Sequence, residues 1–300
     1  MKVFIVGGTG FVGVNLAQRL RARGDEVTVL GLSPARPRGL DAAVPVVAGD
    51  ARTPGAWQER IAGHDVVINL AGASIFTRWT AAAKKVIWES RILATRNVVD
   101  ALPASGVTLV STSAVGYYGF HGDEELGEDD GPGGDFLARL CVEWEREAKR
   151  AAQRGARVVI TRFGIVLGPG GGVLGMMAPL FRRYLGGRLG TGRQWFSWIH
   201  VEDLFAALLH VTGRPGSAGV YNFAAPGPAT NRVLTGELAR VLRRPALLPA
   251  PAFAVRLVLG EFGNVVLEGQ RVLPRRLLAE GFRFTYPTLA SALDNLAATI

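Results

Sequence analysis

The sequence predicts an α/β fold built on a doubly wound parallel sheet, followed by a smaller, mainly helical region. Two observations support this fold class. Short runs rich in β-branched residues alternate with amphipathic segments over roughly the first half of the chain, a spacing typical of βαβ units. In addition, the first run, Lys2 to Val6, passes through glycines directly into a helical pattern. A strand, a tight turn and a helix N-terminus are therefore expected at the start.

The composition favours a large folded protein and excludes several classes of function. The chain has 300 residues, of which 48% are hydrophobic, enough for a substantial core. Its net charge of +9 comes from scattered arginines without a dense basic tract. This pattern favours a solvated basic surface over nucleic-acid binding. The most apolar later segment, residues 245 to 260, contains three prolines, so no membrane span is predicted.

Cysteine and histidine usage indicates the compartment and the absence of a metal site. Cys141 is the one cysteine, so no internal disulfide forms and a cytoplasmic protein is expected. The four histidines lie at spacings that form no metal site with each other or with this thiol.

A dinucleotide-binding fingerprint follows the first strand. We expect the whole turn to contact the cofactor: Gly7, Gly8, Thr9, Gly10, Phe11, Val12 and Gly13. The first glycines permit a sharp turn and a close approach to a pyrophosphate, and Gly13 allows the helix to lie near the strand. The helix expected from about Phe11 to Arg23 then directs its unpaired N–H groups and positive dipole end at the phosphates. This context predicts a Rossmann-type nucleotide site.

The end of the second strand indicates which dinucleotide binds. No Asp or Glu occurs from residue 27 to residue 40, whereas Ser33 and Arg36 follow the strand closely. An acidic residue there bonds the ribose hydroxyls of NAD, and a cation accommodates the extra phosphate of NADP. The sequence therefore favours NADP(H) over NAD(H). The alternative is that the arginine only makes the loop soluble.

Three later strand ends contribute further candidate cofactor residues. Asp50 follows the third strand and can accept a hydrogen bond from an adenine amino group, although an ordinary turn carboxylate is equally expected. Ala71 and Gly72 follow the fourth strand, and their small size lets the backbone pass beneath the cofactor. Ser111 and Ser113 close the fifth strand, so their hydroxyls are expected in the crevice where such sheets bind ligands.

The second half of the chain is expected to bind the substrate. Seven glycines or prolines between residues 164 and 175 divide a Rossmann domain, 1–165, from a smaller substrate-binding domain, 166–300. A strand at about 219–224 returns to the sheet, so the domains are interleaved. A helix is predicted over 176–191, and 122–135 is predicted as an acidic solvated loop. Trp195, Trp198 and His200 could form the wall of a substrate pocket or belong to the core.

These motifs resemble the extended or atypical short-chain dehydrogenase/reductases, and within them the uncharacterised epimerase family proteins related to sugar-nucleotide epimerases. The resemblance covers nearly the whole chain and is carried by Gly7-Gly8-Thr9-Gly10-Phe11-Val12-Gly13, Asn69-Leu70-Ala71-Gly72, Ser90-Arg91, Ser111-Thr112-Ser113-Ala114-Val115, Ser197-Trp198-Ile199-His200-Val201-Glu202-Asp203, and the tail from Gly260-Glu261 to Leu267-Glu268-Gly269-Gln270-Arg271-Val272-Leu273-Pro274. It implies an NADP-type cofactor, a small or sugar-nucleotide-like substrate, and cofactor contacts from Leu70, Ala71, Gly72, Arg162, Phe163 and Gly164.

The same resemblance exposes a departure at the catalytic positions. Active relatives combine a Ser or Thr after the fifth strand with a Tyr-x-x-x-Lys pair on the next helix, and Ser113 matches the hydroxyl residue. Aligning that helix on Glu145 places Leu137 at the Tyr position and Cys141 at the Lys position. Leu cannot exchange a proton, and a thiol near its usual pKa is neutral. Side chains nearby in sequence that could act as a shifted base are Tyr117, Tyr118 and Cys141, although packing is the favoured role for each.

Two functions remain open at this point. The first is an NADP(H)-dependent, epimerase-like oxidoreductase that acts on a small or sugar-like molecule. The second is a non-catalytic NADPH-binding sensor or regulator, which the missing pair favours. An NAD(P)-dependent oxidoreductase or epimerase with a degenerate active site is the first expectation, and a non-catalytic binding protein is the alternative.

Overall fold

The computed structural model describes residues 1 to 300 and contains thirteen strands. In chain order they are β1 (Lys2–Val6), β2 (Glu26–Gly31), β3 (Val46–Ala48), β4 (Val66–Asn69), β5 (Thr108–Ala114), β6 (Glu125–Leu126), β7 (Arg157–Phe163), β8 (Ile165–Leu167), β9 (Trp195–Phe196), β10 (Trp198–His200), β11 (Gly219–Phe223), β12 (Ala229–Thr230) and β13 (Arg271–Val272).

Ten α-helices accompany these strands: α1 (Phe11–Ala22), α2 (Ala81–Ala101), α3 (Phe136–Lys149), α4 (Gly172–Arg182), α5 (Val201–Gly213), α6 (Asn231–Leu242), α7 (Ala252–Leu259), α8 (Phe262–Leu267), α9 (Arg275–Ala279) and α10 (Leu289–Leu296). Short 3-10 turns occupy Gln58–Ile61, Val115–Tyr118 and Arg150–Arg154. None of the helices is both long and apolar enough to cross a membrane.

Seven parallel strands form the central sheet in the order β11-β7-β5-β4-β1-β2-β3. The chain starts in the middle at β1, moves outward through β2 and β3, and then returns to β4 on the other side of β1. This reversal opens a crevice at the carboxyl ends of β1 and β4, where sheets of this kind bind ligands. The arrangement confirms the predicted doubly wound fold.

The two faces of the sheet are covered by different helices because successive strand residues point to opposite sides. Val3 and Ile5 pack in one cluster with apolar residues of α1 and α5. Phe4 and Val6 pack in a second cluster with residues of α2 and α3. Both clusters hold the β1 strand rigidly, so the turn that follows it has a fixed position.

A third cluster lies in the second half of the chain, where α4, α6 and α10 pack around the fully buried Trp198. The same half returns β11 to the sheet beside β7, with Tyr221 opposite Thr161. Small two-stranded pairings, β8 with β10 and β6 with β13, connect the two halves further. The helical region is therefore joined to the sheet by several segments.

The helix predicted over 176–191 is wrong in its bounds, because α4 starts at Gly172 and ends at Arg182. After it, the chain runs against the segment before α7. Gly190 donates to the carbonyl of Ala250 at 2.8 Å, and Ala250 donates to that of Arg188 at 2.9 Å. A Cβ on Gly187 would stand 1.8 Å from the Leu248 oxygen. Only a glycine allows this approach, and the helix cannot continue there.

The acidic segment 122–135 is more anchored than the predicted solvated loop. Its β6 strand pairs with β13 near the C-terminus. Glu128 is buried, and its Oε1 accepts hydrogen bonds from the backbone of Asn222 at 3.0 Å and of Arg276 at 3.2 Å. The carboxylate of this segment therefore ties two later segments together.

Candidate functional site

The turn between β1 and α1 is held against both neighbouring strands. Gly7 has a φ of +75°, and the amides of Gly7 and Gly8 both donate to the Leu30 carbonyl at 3.1 Å. A Cβ on Gly13 would stand 2.5 Å from the Gly8 Cα, and one on Gly8 would stand 2.5 Å from Val29 Cβ. These glycines are required for close packing of the turn, the helix and the sheet.

Gly10 has a different role because no protein atom crowds it. The nearest atom to a Cβ at this position would be the Gly7 oxygen at 3.4 Å, and the residue is exposed. Gly10 is the N-cap of α1, yet no side chain caps this helix and no acidic residue occupies its first turn. The unpaired N–H groups and the positive dipole end therefore face the crevice and are free to bind an anion.

The side chains within the turn are half-buried and pack against neighbouring segments. Thr9 lies against the end of β2, since a Cβ on Gly31 would stand 2.5 Å from Thr9 Cγ2. The Phe11 ring contacts the glycine-rich segment before α4, since a Cβ on Gly171 would stand 2.9 Å from the ring. Val12 packs against the cluster that contains Val3 and Ile5. The backbone of the turn is thus left to meet a ligand.

Beyond β2, the predicted Ser33 and Arg36 are exposed. The Ser33 hydroxyl accepts from the Ala35 amide at 3.1 Å, and Arg36 Nη1 donates to the Val44 carbonyl at 3.0 Å and to the Asp41 carbonyl. These contacts tether the guanidinium to the segment before β3 without a carboxylate partner, and an unpaired guanidinium suits a phosphate.

Asp50 is engaged by a neighbour. Its carboxylate forms an ion pair with Arg52 at 2.6 Å, and the hydrogen bond from Arg52 lowers the pKa of the carboxyl below its usual range. Both side chains are partly exposed, and a carboxylate has further lone pairs for another donor.

The turn after β4 meets the glycine turn directly. A Cβ on Gly7 would stand 3.0 Å from the backbone carbonyl of Leu70. Ala71 donates to the Asn69 side chain at 3.2 Å, and this amide in turn donates to Thr95 at 2.9 Å. The backbone at Leu70 and Ala71 therefore forms the floor of the crevice at the point where the strand order reverses.

At the end of β5 the two predicted serines differ. The Ser111 hydroxyl is buried and has no hydrogen-bond partner in the protein. The Ser113 hydroxyl donates to Glu145 Oε1 at 2.9 Å. Glu145 is also paired with Arg162 through contacts of 2.8 and 3.0 Å, and the two side chains are 2% and 3% exposed. Ser113 thus belongs to a buried ionic network.

The network extends to two tyrosines. Arg162 Nη1 donates to the Tyr118 hydroxyl at 2.9 Å, and this hydroxyl donates to Asn222 at 2.8 Å. Burial raises the pKa of Tyr118 to about 12. The Tyr117 ring lies 3.4 Å from the Arg162 guanidinium carbon, a cation–π contact. The sequence does not reveal the partner of Glu145, although an Arg within the apolar strand β7 is a signal for a buried carboxylate.

The side chains at 162 to 164 differ from the expected cofactor contacts. Arg162 is bound within the network, and Phe163 stacks on Phe223 at a centroid distance of 5.7 Å. A Cβ on Gly164 would stand 3.0 Å from the Ser197 oxygen, so this glycine allows a close passage of two chain segments.

Leu137 and Cys141, which the resemblance places at the Tyr and Lys positions, offer no group that titrates near neutral pH. Leu137 packs against Gly116, whose Cβ would stand 3.3 Å from Leu137 Cβ. Cys141 is buried, its thiol lies 3.8 Å from the Ala114 oxygen, and burial raises its pKa to about 12. The thiol is therefore neutral and cannot act as a general base at neutral pH.

Of the three residues expected at a substrate pocket, two lie in the interior. Trp198 is fully buried and donates to the Gly227 carbonyl at 3.1 Å. His200 is buried, caps α5 by accepting from the Glu202 amide at 3.1 Å, and has its pKa lowered to about 4 by burial. Both side chains therefore pack and cap instead of lining an open cleft.

Trp195 is the accessible member of that group. It is partly exposed, donates to Asp123 at 2.8 Å, and has the Arg271 guanidinium 4.8 Å from its ring centroid. The structure contains no group of three or more His, Cys, Asp or Glu side chains placed to hold a metal ion.

Comparisons with known proteins agree with this geometry. Residues 3–224 match the NAD dependent epimerase/dehydratase family, and residues 250–296 match a domain of unknown function, DUF1731. An epimerase family protein SDR39U1 homolog of Arabidopsis thaliana, named as chloroplastic, is 42% identical over 98% of this chain and 86% of its own length.

Two solved structures are similar. Human epimerase family protein SDR39U1, crystallised with NADPH, is 35% identical with a TM-score of 0.88 over 100% of both chains. UDP-glucose 4-epimerase of Thermus thermophilus, in complex with NAD, is 21% identical with a TM-score of 0.81 over 100% of both chains, a likeness of fold alone. The chain therefore belongs to the NAD dependent epimerase/dehydratase family, in the branch of epimerase family proteins that its sequence motifs predicted.

Proposed function

We propose that this protein binds NADP(H) and acts as an epimerase-like oxidoreductase of the atypical short-chain dehydrogenase/reductase type on a small, sugar-nucleotide-like substrate. One observation carries the proposal: the uncapped N-terminus of α1 opens behind the uncrowded Gly10 at the crevice of the sheet. Such a helix end is an anion site, and a diphosphate between two nucleosides fits it.

Each part of the crevice has a role in this proposal. The first-turn amides of α1 bind the diphosphate, Ser33 and Arg36 bind the extra phosphate of NADP, and Asp50 accepts from the adenine amino group. The backbone of Leu70 to Gly72 supports the cofactor from below. The unpartnered hydroxyl of Ser111 gains a hydrogen bond from it, which relieves the cost of a buried unsatisfied group. Bound NADP(H) supplies or accepts the hydride.

The preference for NADP(H) rests on charge at the end of β2. Arg36 follows β2 closely in the sequence, is held by backbone carbonyls of the segment before β3, and pairs with no carboxylate. A 2′-phosphate is well matched to a guanidinium, whereas the hydroxyl of NAD gains little from it. The human relative solved with NADPH is consistent with this preference.

Tyr117 is the strongest of the candidate proton carriers. The Ser113 hydroxyl donates a hydrogen bond to Glu145, and the Cys141 thiol is neutral. The Tyr118 hydroxyl is already bonded to Arg162 and Asn222. The Tyr117 hydroxyl makes no hydrogen bond within the protein, and its ring is fixed by Arg162. In this proposal Tyr117 moves the proton, and Ser113 fixes the buried carboxylate behind it.

A non-catalytic NADPH sensor is the second candidate function. Leu137 and Cys141 favour it because neither can fill the role of the residue it replaces. In either case we place the protein in the cytoplasm, since its one cysteine is free and buried.

Calorimetric titration with NADPH and NADH tests the binding proposal. We expect NADPH to bind at least about tenfold more tightly than NADH, and Arg36→Ala to remove most of this difference, because a charge-assisted phosphate contact is lost. Arg146→Ala, on the exposed side of α3, serves as the matched control and leaves both affinities unchanged. Absence of heat with both dinucleotides refutes the proposal.

The two candidate functions are separated by turnover. The protein is incubated with NADPH and a panel of carbonyl and nucleotide-sugar compounds, and cofactor oxidation or epimer formation is measured. An enzyme shows turnover that Tyr117→Phe abolishes while NADPH binding persists. A sensor shows none, and its binding of protein partners changes with NADPH.

A further inference from the structure

Arg91 on α2 is a half-buried cation without an anionic partner. No carboxylate forms an ion pair with it, and the one titratable group that acts on it is the Cys141 thiol. Nη1 donates to the Ile87 carbonyl at 3.1 Å. Nη1 also has a long contact of 3.5 Å with the Ser90 hydroxyl, and no hydrogen bond within the protein engages Nε or Nη2. A cation withdrawn from water in this way is costly unless a partner is supplied.

The position of this guanidinium is at the floor of the crevice. A Cβ on Gly72 would stand 3.0 Å from its central carbon, so the absence of a side chain after β4 makes room for it. Its central carbon also lies 5.3 Å from the ring centroid of Trp144, a cation–π contact. Trp144 and Cys141 belong to successive turns of α3, and the Cys141 thiol lies against the end of β5.

The guanidinium therefore lies between the ends of β4 and β5, next to the residue that stands where relatives have the lysine. Burial lowers the pKa of Arg91 to about 10, so it stays protonated at neutral pH. Its planar fork of N–H donors can reach more than one oxygen at once. Cys141 offers neither a charge nor a strong donor.

We propose that Arg91 supplies the cationic hydrogen-bond donor missing from position 141 and binds the hydroxyls of the ribose next to the nicotinamide. This inference rests on the proposed binding of NADP(H). It assigns to α2 a role that relatives with the Tyr-x-x-x-Lys pair give to the following helix. Gly72 and Trp144 are the residues that hold the guanidinium in place.

The test compares two ligands that share the adenosine half. NADPH contains the second ribose, whereas adenosine 2′,5′-bisphosphate lacks it. By calorimetry, Arg91→Gln is expected to bind NADPH roughly tenfold to a hundredfold more weakly than the unmodified protein, the loss of charge-assisted hydrogen bonds. Its affinity for the bisphosphate is expected to stay the same. Arg91→Lys keeps the charge and is expected to restore part of the NADPH affinity.

Controls separate this role from a structural one. Lys85→Gln removes a charge from the exposed face of the same helix and should change neither affinity. Arg91→Met keeps the volume packed on Trp144 and replaces the Gln variant if circular dichroism shows that the latter is unfolded.

Three outcomes overturn the inference. Unchanged NADPH affinity in the variant does so directly. Equal loss of both ligands shows that Arg91 acts through the fold and not through the second ribose. If the unmodified protein binds neither ligand, the proposed function itself fails, and the two failures are thus distinguishable.

Discussion

Replacing Arg162 by methionine should destabilise the protein strongly. The substitution keeps a long side chain in the core but removes the charge that faces Glu145. In the native structure two contacts of 2.8 and 3.0 Å join these groups, and both side chains are almost completely excluded from water. Arg162→Met leaves the carboxylate with the Ser113 hydroxyl as its one remaining side-chain donor.

The expected cost follows from this isolation. Breaking a buried ion pair by removing one partner typically costs about 3–5 kcal/mol, because the other charge stays buried without compensation. The Tyr118 hydroxyl also loses a donor at 2.9 Å. Since a domain is stable by only about 5–15 kcal/mol, the variant should unfold at a much lower urea concentration.

A second substitution tests the electrostatic origin of this cost. Glu145→Leu together with Arg162→Met removes both charges, and apolar replacement of a whole buried pair is often close to neutral. Two hydroxyls, of Ser113 and Tyr118, lose partners, at about 1–3 kcal/mol for each group left unsatisfied. We therefore expect the double variant to lose less free energy of unfolding than the sum of the losses in the two single variants, Arg162→Met and Glu145→Leu.

Urea unfolding followed by circular dichroism and tryptophan fluorescence measures these free energies. Arg146→Met is the matched control, since Arg146 pairs with Glu143 on the exposed face of α3, and surface pairs contribute about 0–1 kcal/mol. The reasoning is refuted if Arg162→Met costs no more than this control, or if the effects of the two buried substitutions simply add.

Three further predictions concern other parts of the molecule. Gly13→Ala should weaken NADPH binding at least about tenfold in calorimetry, because its Cβ would stand 2.5 Å from the Gly8 Cα. Gly236→Ala, in open space on α6, should instead stabilise the fold by about 0.5–1 kcal/mol in urea unfolding. Unchanged NADPH affinity in Gly13→Ala would contradict this reasoning. Burial lowers the pKa of His200 to about 4 from 6.5, so as the pH falls the unfolded chain takes up a proton before the folded protein does. The free energy of unfolding should therefore decrease by at most about 3 kcal/mol between these two pKa values. His200→Asn keeps a capping oxygen but does not titrate, and urea unfolding of this variant should lack the decrease. Cys141, with a pKa of about 12, should resist iodoacetamide at pH 8 until urea unfolds the chain, and rapid native labelling would contradict its burial.

Local patterns were sufficient to predict the first half of the fold. The alternation of strands and helices, the glycine turn and the end of β7 at Phe163 follow from residues close together in the chain. Gly13 was assigned to helix–strand packing, and the 2.5 Å approach to Gly8 has this origin. Signals of this kind are encoded by neighbours and by period, so they do not require the tertiary structure.

Partners of polar side chains could not be predicted in this way. Ser113 was expected to face the crevice, but its hydrogen bond goes to Glu145, 32 residues later. Tyr118 bonds to Asn222, 104 residues away. Hydroxyls near a strand end can point to either side of it, and the choice depends on which distant donor or acceptor the packed helices place there.

The sequence by itself determined the doubly wound sheet, the glycine turn and the lack of a Tyr-x-x-x-Lys pair, because these depend on local periodicity, backbone freedom and residue type. Only the tertiary structure decided that Trp198 and His200 lie in the core, that Glu145 and Arg162 neutralise each other, and that Arg91 lies beside Gly72. Burial and ion pairing are properties of segments brought together from distant parts of the chain, and their free energies depend on distance and exclusion of water.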